Sequence, residues 1–318
     1  NTATTGSIEA EIINQSTLTN EGEITANGGS NTSTVSGAGA FTVADDFLND
    51  TTGTIEQNTI TVNADKIFTN DGSVVTSDGT NNGTITGTGT LETTGTFTNN
   101  MTIEQTTLTV SSGTFTNTAT TGSIEAEIIN QSTLANEGEI TANGGSNTST
   151  VSGAGAFTVS DDFTNNGSFT QNDLTVNSGK SFTNTSTTTI NNSVSNSGTI
   201  ENTLANAILN FKGEDMAIAG TINNIADGII NIDGTGTTQL SATVDNNGVL
   251  NTKSNTTITG DISGTGSVVN TATTVSVESV IQQSAFTNTS GSVSVDDTIG
   301  SITTTGIISN AGTLTSNA

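Results

Sequence analysis

Proline does not occur in this 318-residue chain, and neither do cysteine, arginine, histidine, tryptophan or tyrosine. Average usage would give roughly 16 prolines. A chain whose strands donate to neighbours on both sides must exclude proline, because proline lacks the backbone N–H. Without cysteine there is no disulfide framework and no thiolate metal site, so the redox compartment is left open by that route. Glycan lyases and hydrolases need a base with charge-stabilising partners, commonly Arg, Lys or His beside carboxylates, and their sugar sites favour stacking aromatics. Most of those residue types are missing, which speaks against catalysis. No apolar run reaches the length of about 18 residues that a membrane-spanning helix requires.

Thr, Asn, Ser and Gly together supply 181 of the 318 residues, against 30% hydrophobic and 3% aromatic. Such a composition borders on that of a disordered polar linker. Two features argue for order instead. Apolar, mostly β-branched residues recur at alternate positions, as in Ile8-Glu9-Ala10-Glu11-Ile12 and Leu174-Thr175-Val176, and disordered linkers are usually rich in the proline that is missing here. The expectation is an all-β protein. Its formal charge is −26, from 30 acidic residues against Lys66, Lys180, Lys212 and Lys253. A surface so acidic repels phosphate, which makes anionic membranes poor partners and speaks against nucleic acid, and it keeps an extended β-surface in solution.

Residues 1–50 return as residues 117–166 with changes only at Thr19/Ala135, Ala44/Ser160, Leu48/Thr164 and Asp50/Asn166. A segment copied downstream marks an array, whose folding unit stacks on its neighbours. Beneath the long copy runs a shorter phrase, apolar-x-Asn-x-Gly-x-apolar, anchored at Asn20 and Gly22, Asn70 and Gly72, Asn136 and Gly138, Asn165 and Gly167, Asn196 and Gly198, Asn246 and Gly248, and Asn310 and Gly312. This reads as a corner: Asn tolerates the left-handed region and bonds the backbone, Gly supplies positive φ, and the flanking apolar side chains point inward. Short strands between such corners, at a period of about 17–22 residues, fit the coils of a parallel β-solenoid. Roughly 16 coils would make a rod on the order of 75 Å long. β-Sandwiches or tandem antiparallel domains keep a minority share: five Asn-Gly pairs resemble hairpin turns, but three of them belong to the corner phrase. The rod divides into long repeats at 1–116 and 117–200 and divergent coils at 201–318, without a domain boundary and without a recognisable end cap. The start at Asn1, in mid-phrase, suggests an internal piece of a longer protein.

The Asn-x-Gly corners, phrases such as Gly89-Thr90-Leu91 and Gly198-Thr199-Ile200, and the cysteine-free Thr/Asn/Gly composition resemble the passenger regions of bacterial autotransporters and filamentous-haemagglutinin-type exoproteins. The resemblance covers essentially the whole chain and is one of repeat style. It implies a right-handed parallel β-helix, exported and displayed on the bacterial surface as an adhesin shaft or filament. Its partners would be other copies of itself or flanking repeats, and a host or neighbouring-cell surface, with no membrane insertion by this region.

Three groups of residues invite a sharper reading. Asp45-Asp46, Asp161-Asp162 and Asp296-Asp297 are paired carboxylates, but neighbours on a strand point to opposite faces, and solvated bends explain them better. The group Glu9, Glu11, Glu21 and Glu23 returns as Glu125, Glu127, Glu137 and Glu139. Glu9, Glu11 and Glu23, with Glu125, Glu127 and Glu139, are the candidates for a Ca²⁺ site of hard oxygen ligands, against the plainer reading of a solvated acidic face. No other metal or cofactor is expected. Thr-x-Thr strings such as Thr86 to Thr90 and Thr94 to Thr98 evoke ice-binding faces, yet they are interrupted and are expected to shift register from coil to coil, so strand propensity accounts for them.

Overall fold

The computed structural model describes residues 1–296 and 300–317. Among them there is no helix; every strand pairing is parallel, and the fold is a β-solenoid of about 17 turns with coils of about 18 residues. Coil lengths range from 16 residues, Ser7 to Glu23, to 22, Thr199 to Thr221. The described residues divide into two compact units, Asn1–Gly155 and Ala156–Ala318. That division falls inside the second long repeat.

In the first unit each coil makes three short β faces, and alternation sends one row of apolar side chains inward from each. One row runs Ile8, Ile24, Phe41, Ile60, Gly79, Phe97, Phe115, Leu134, Val151. A second runs Leu18, Val35, Ile55, Val74, Leu91, Leu108, Ile128, Gly145. The third runs Ile12, Gly29, Phe47, Phe68, Ile85, Ile103, Ile124, Ile140. Ladder residues repeat in kind because each side chain lies on its counterpart one coil away. Where the type changes, a neighbour compensates: Gly79 makes room for Phe97, whose ring would lie 2.7 Å from a Cβ there. The long copy is displaced by one face, since Ile8 heads the first row while its counterpart Ile124 stands in the third.

In the second unit Phe163, Phe182, Ile200, Ile222, Val244 and Ile262 form one inward row, and Thr188, Leu209, Ile230, Leu250, Val268 and Phe286 another. Rings stack along the ladders, as Phe163 and Phe182 do at 6.1 Å and Phe97 and Phe115 at 5.2 Å in the first unit. From Ala217 onward the third face is a separate six-stranded sheet, ending with Thr313–Asn317.

Candidate functional site: amide ladders and glycine corners

At the end of each face the chain turns, and the side chain at the turn is most often a buried asparagine. Asn20, Asn70, Asn136, Asn165, Asn196 and Asn246 are all buried, whereas Asn310 is exposed. Along the ladders a buried amide donates from Nδ2 to the asparagine side-chain oxygen one coil further on, whereas Asn196 donates to the carbonyls of Ala219 and Thr221. Asn14 donates to Asn31 at 2.7 Å, Asn31 to Asn49 at 2.8 Å and Asn49 to Asn70 at 2.8 Å. Asn81, Asn99, Asn117 and Asn136 form a second such chain, with 2.8 Å at every step. In the second unit Asn165, Asn184, Asn202, Asn224 and Asn246 form another, at 2.8–3.0 Å. A buried amide must find partners, and stacking the same residue in register satisfies donor and acceptor at once while polarising the whole chain of bonds.

The glycine of the phrase has a different role from the one its type suggests. None of Gly22, Gly72, Gly138, Gly167, Gly198, Gly248 and Gly312 is at positive φ, and no corner Asn is either. The expectation that Gly supplies positive φ is corrected by packing: a Cβ at Gly22 would stand 2.1 Å from the Gly6 carbonyl oxygen, and one at Gly72 would stand 2.1 Å from that of Gly53. Glycine is required because successive corners stack backbone on backbone. The corner asparagine turns the chain by taking the N–H two residues on with its Oδ1, as Asn20 does for Gly22 at 3.3 Å and Asn196 for Gly198 at 3.1 Å.

Some coils have no asparagine at the corner. There a Ser or Thr precedes Gly-x-Gly, and the first glycine does have positive φ: Gly37 at 125°, Gly87 at 118° and Gly264 at 118°. The gap in the ladder is closed by a glutamine from the following coil. Asn20 donates to Gln57 Oε1 at 2.7 Å, Asn70 to Gln105 at 2.6 Å and Asn246 to Gln283 at 2.7 Å, each across 35 to 37 residues. Gln57 and Gln105 also donate to the carbonyls of Gly37 at 3.2 Å and Gly87 at 3.3 Å, tying down the glycine corner itself. From the other side, the middle residue of Asn-x-Gly accepts the N–H of the corner: Glu21 from Ala38, Asp71 from Thr88, Glu137 from Ala154 and Asn247 from Thr265. Sequence reasoning missed these glutamines. The visible signal is Ser/Thr-Gly-x-Gly followed 18 to 20 residues later by a Gln two positions after an inward residue, at Gly37 and Gln57, Gly87 and Gln105, Gly153 and Gln171, and Gly264 and Gln283.

Two surface depressions lie on these corners in the first unit. One of about 580 Å³ is lined by Gly37, Glu56, Gln57, Asn58 and Thr76 among others, and one of about 360 Å³ by Gly87, Glu104, Gln105, Glu125 and Asn143 among others. Both open where the retracted glycine corner leaves no side chain.

The acidic candidates are spread over these surfaces. Glu23 stands beside Ser7, Glu9 beside Thr25, and Glu11 falls at the register step between Ala10 and Ile12. Glu125 stands beside Glu104, Glu127 accepts from the Thr107 hydroxyl at 3.0 Å, and Glu139 stands beside Ser123. Among the described residues no three carboxylates converge. Because of the one-face displacement, the two copies of the group emerge on different faces. Asp45 and Asp46 are exposed; Asp45 binds Lys66 at 2.9 Å and Asp46 accepts the Ile67 N–H at 2.9 Å, one coil on. Asp161 and Asp162 repeat this with Lys180 and the Ser181 N–H, each at 2.8 Å. Asp297 lies outside the described residues. The Lys66 ammonium holds the Asp45 carboxyl below its ordinary value, and Lys180 does the same for Asp161.

The expected shift of register among threonines does not hold throughout. Thr25, Thr42, Thr61, Thr80, Thr98 and Thr116 form one outward row across six successive coils. The row two residues earlier is broken by Glu23, Ala40 and Asp78, so adjacent coils carry a complete Thr-x-Thr pair only at Thr96/Thr98 and Thr114/Thr116. Comparison of the chain with protein-family models, with curated proteins and with solved structures finds no match.

Proposed function

We propose that the chain is a non-enzymatic shaft of a bacterial surface adhesin or filament, acting outside the cell through other copies of itself or flanking repeats and through a host or neighbouring-cell surface. One observation carries this reading: where a corner lacks its asparagine, a glutamine restores the amide connection across the gap. Sequence is spent on unbroken stacking, with backbone bonds, apolar ladders and amide chains all joining coil to coil. Such an arrangement distributes load over many parallel bonds. Antibody against the chain, applied to intact cells of the source organism, is expected to label the surface; labelling seen only after the cells are opened sinks the proposal. End-to-end assembly into a fibre is the runner-up, and electron microscopy of purified protein distinguishes it by filaments that lengthen with concentration. A panel of acidic polysaccharides is expected to remain uncleaved.

A further inference from the structure

Five asparagines precede glycine in this chain: Asn27, Asn82, Asn143, Asn166 and Asn247. An Asn-Gly pair is open to a modification that needs no enzyme. The glycine amide nitrogen attacks the asparagine Cγ, a C–N bond forms, and Nδ2 leaves as ammonia; water then opens the succinimide to aspartate or isoaspartate. The net change is loss of ammonia and gain of water, with one new negative charge and no redox step. Because glycine has no side chain, it crowds the attack least.

None of the buried ladder asparagines precedes glycine, so the load-carrying amides are spared by sequence. The asparagines of the five pairs are exposed or half-buried, and three of them sit at the corner phrase and are held there. Asn82 Oδ1 accepts from Asn100 at 2.8 Å, Asn166 Oδ1 from the Thr185 hydroxyl at 2.7 Å, and Asn247 Oδ1 from the Thr265 N–H at 3.0 Å. The attacking nitrogen is engaged as well at two of them, since the Gly83 N–H donates to Asn81 at 3.2 Å and the Gly167 N–H to Asn165 at 3.3 Å. Rotating such an asparagine towards its glycine breaks one or two of these bonds first.

Asn27 is held by none of these. Its side chain is exposed and makes no hydrogen bond, and Gly28, at φ 94°, is in register with neither neighbouring coil. A Cβ on Gly28 would meet nothing nearer than the Asp46 carbonyl oxygen at 3.6 Å, so this peptide bulges into open space. Asn143 has the same local sequence, but Gly144 is buried and the Asn143 amide lies 3.4 Å from a Glu125 oxygen. We infer that Asn27 is the chain's site of spontaneous deamidation, with Asn143 second and the three corner pairs protected by the fold. The product carboxylate at 27 stands directly beside Asp45 on the next coil, and like charges so placed repel.

The test is peptide mapping by mass spectrometry after incubation at mildly alkaline pH, on the folded chain and on the same chain in urea. In the folded chain Asn27 is expected to convert at least about tenfold faster than Asn82, Asn166 and Asn247, the effect of some 1.4 kcal/mol of extra barrier. In urea the five rates should come together. Equal rates in the folded chain, or a corner pair in the lead, overturn the inference. So does a lead of Asn27 that persists in urea, since it would then arise from local sequence alone.

Discussion

The strand Ser7–Asn14 and the strand Ser123–Asn130 have the same eight residues, yet they are buried differently. Ile8, Ala10 and Ile13 of the first are half-buried or exposed, Ile13 at 65%, whereas Ile124 and Ala126 of the second are at 2% and 0%. The first pairs with one strand, Glu23–Asn31; the second lies between Thr102–Val110 and Glu139–Asn147. In a solenoid the local sequence specifies the shape of a coil, but its burial is contributed by the coils on either side. The four substitutions between the copies respect this division: Thr19/Ala135, Ala44/Ser160, Leu48/Thr164 and Asp50/Asn166 all lie at positions that are not buried.

The largest difference between the copies is expected on cutting the same side chain in each. Ile124→Ala leaves a cavity between two coils and should cost about 2–5 kcal/mol. Ile8→Ala removes a side chain covered on one side and should cost about 1 kcal/mol. Urea midpoints of the two variants check this, with hydrogen exchange of the substituted coil as a local measure, since one coil can open without the rest. Equal losses would mean that burial in the stack does not govern the energetics of a coil.

Glycine corners should break the contrast. A Cβ at Gly22 would stand 2.1 Å from the Gly6 carbonyl oxygen and one at Gly138 stands 2.1 Å from that of Gly122. Both clashes are with backbone, which cannot step aside as a side chain can. Gly22→Ala and Gly138→Ala are therefore expected to cost the same, about 1–3 kcal/mol each, and a large difference between their melting temperatures would refute the stacking account of these glycines. Gln57→Ala removes the acceptor of the Asn20 amide and a donor to the Gly37 carbonyl. Leaving such groups unpaired should cost about 1–3 kcal/mol, and exchange should speed up first at the corner around Gly37.

Much of this architecture was legible in the sequence, because a two-residue period for strands and a recurring Asn-x-Gly for corners are both local signals. The absence of proline pointed the same way. What was not legible depends on register. The role of the corner glycines follows from how closely coil stacks on coil, a distance no single phrase reveals, and glycine alone suggests positive φ. Gln57 and Gln105 bond asparagines 37 and 35 residues earlier, so their purpose appears only once the coils are aligned. Ladder asparagines outside the phrase, such as Asn49, Asn99 and Asn184, carry the weaker mark of an apolar residue two positions before. The outward row from Thr25 to Thr116 is hidden for the same reason, since unequal coil lengths of 17 to 19 residues blur its period.

The smallest effect is expected where the copies agree most closely. Lys66 meets Asp45 and Lys180 meets Asp161 across one coil, and all four side chains are well exposed. Screening leaves such pairs little stabilising weight, so Lys66→Met and Lys180→Met should shift the melting temperature slightly and alike. Their pH dependence is nevertheless fixed in sign. The hydrogen bond from Lys66 holds Asp45 below 3.8, so the pair's contribution is complete above that value and is lost as pH falls through the lower folded one. The bond to Asp45 holds Lys66 above 10.5, so the same contribution is complete below 10.5 and is lost as pH rises through the raised folded value. Wild type and Lys66→Met should therefore differ by a constant amount between about pH 4 and pH 10 and converge outside that window. Salt should close the gap within it. A difference that grows on acidification from pH 7 to pH 5 would assign the effect to some group other than this pair.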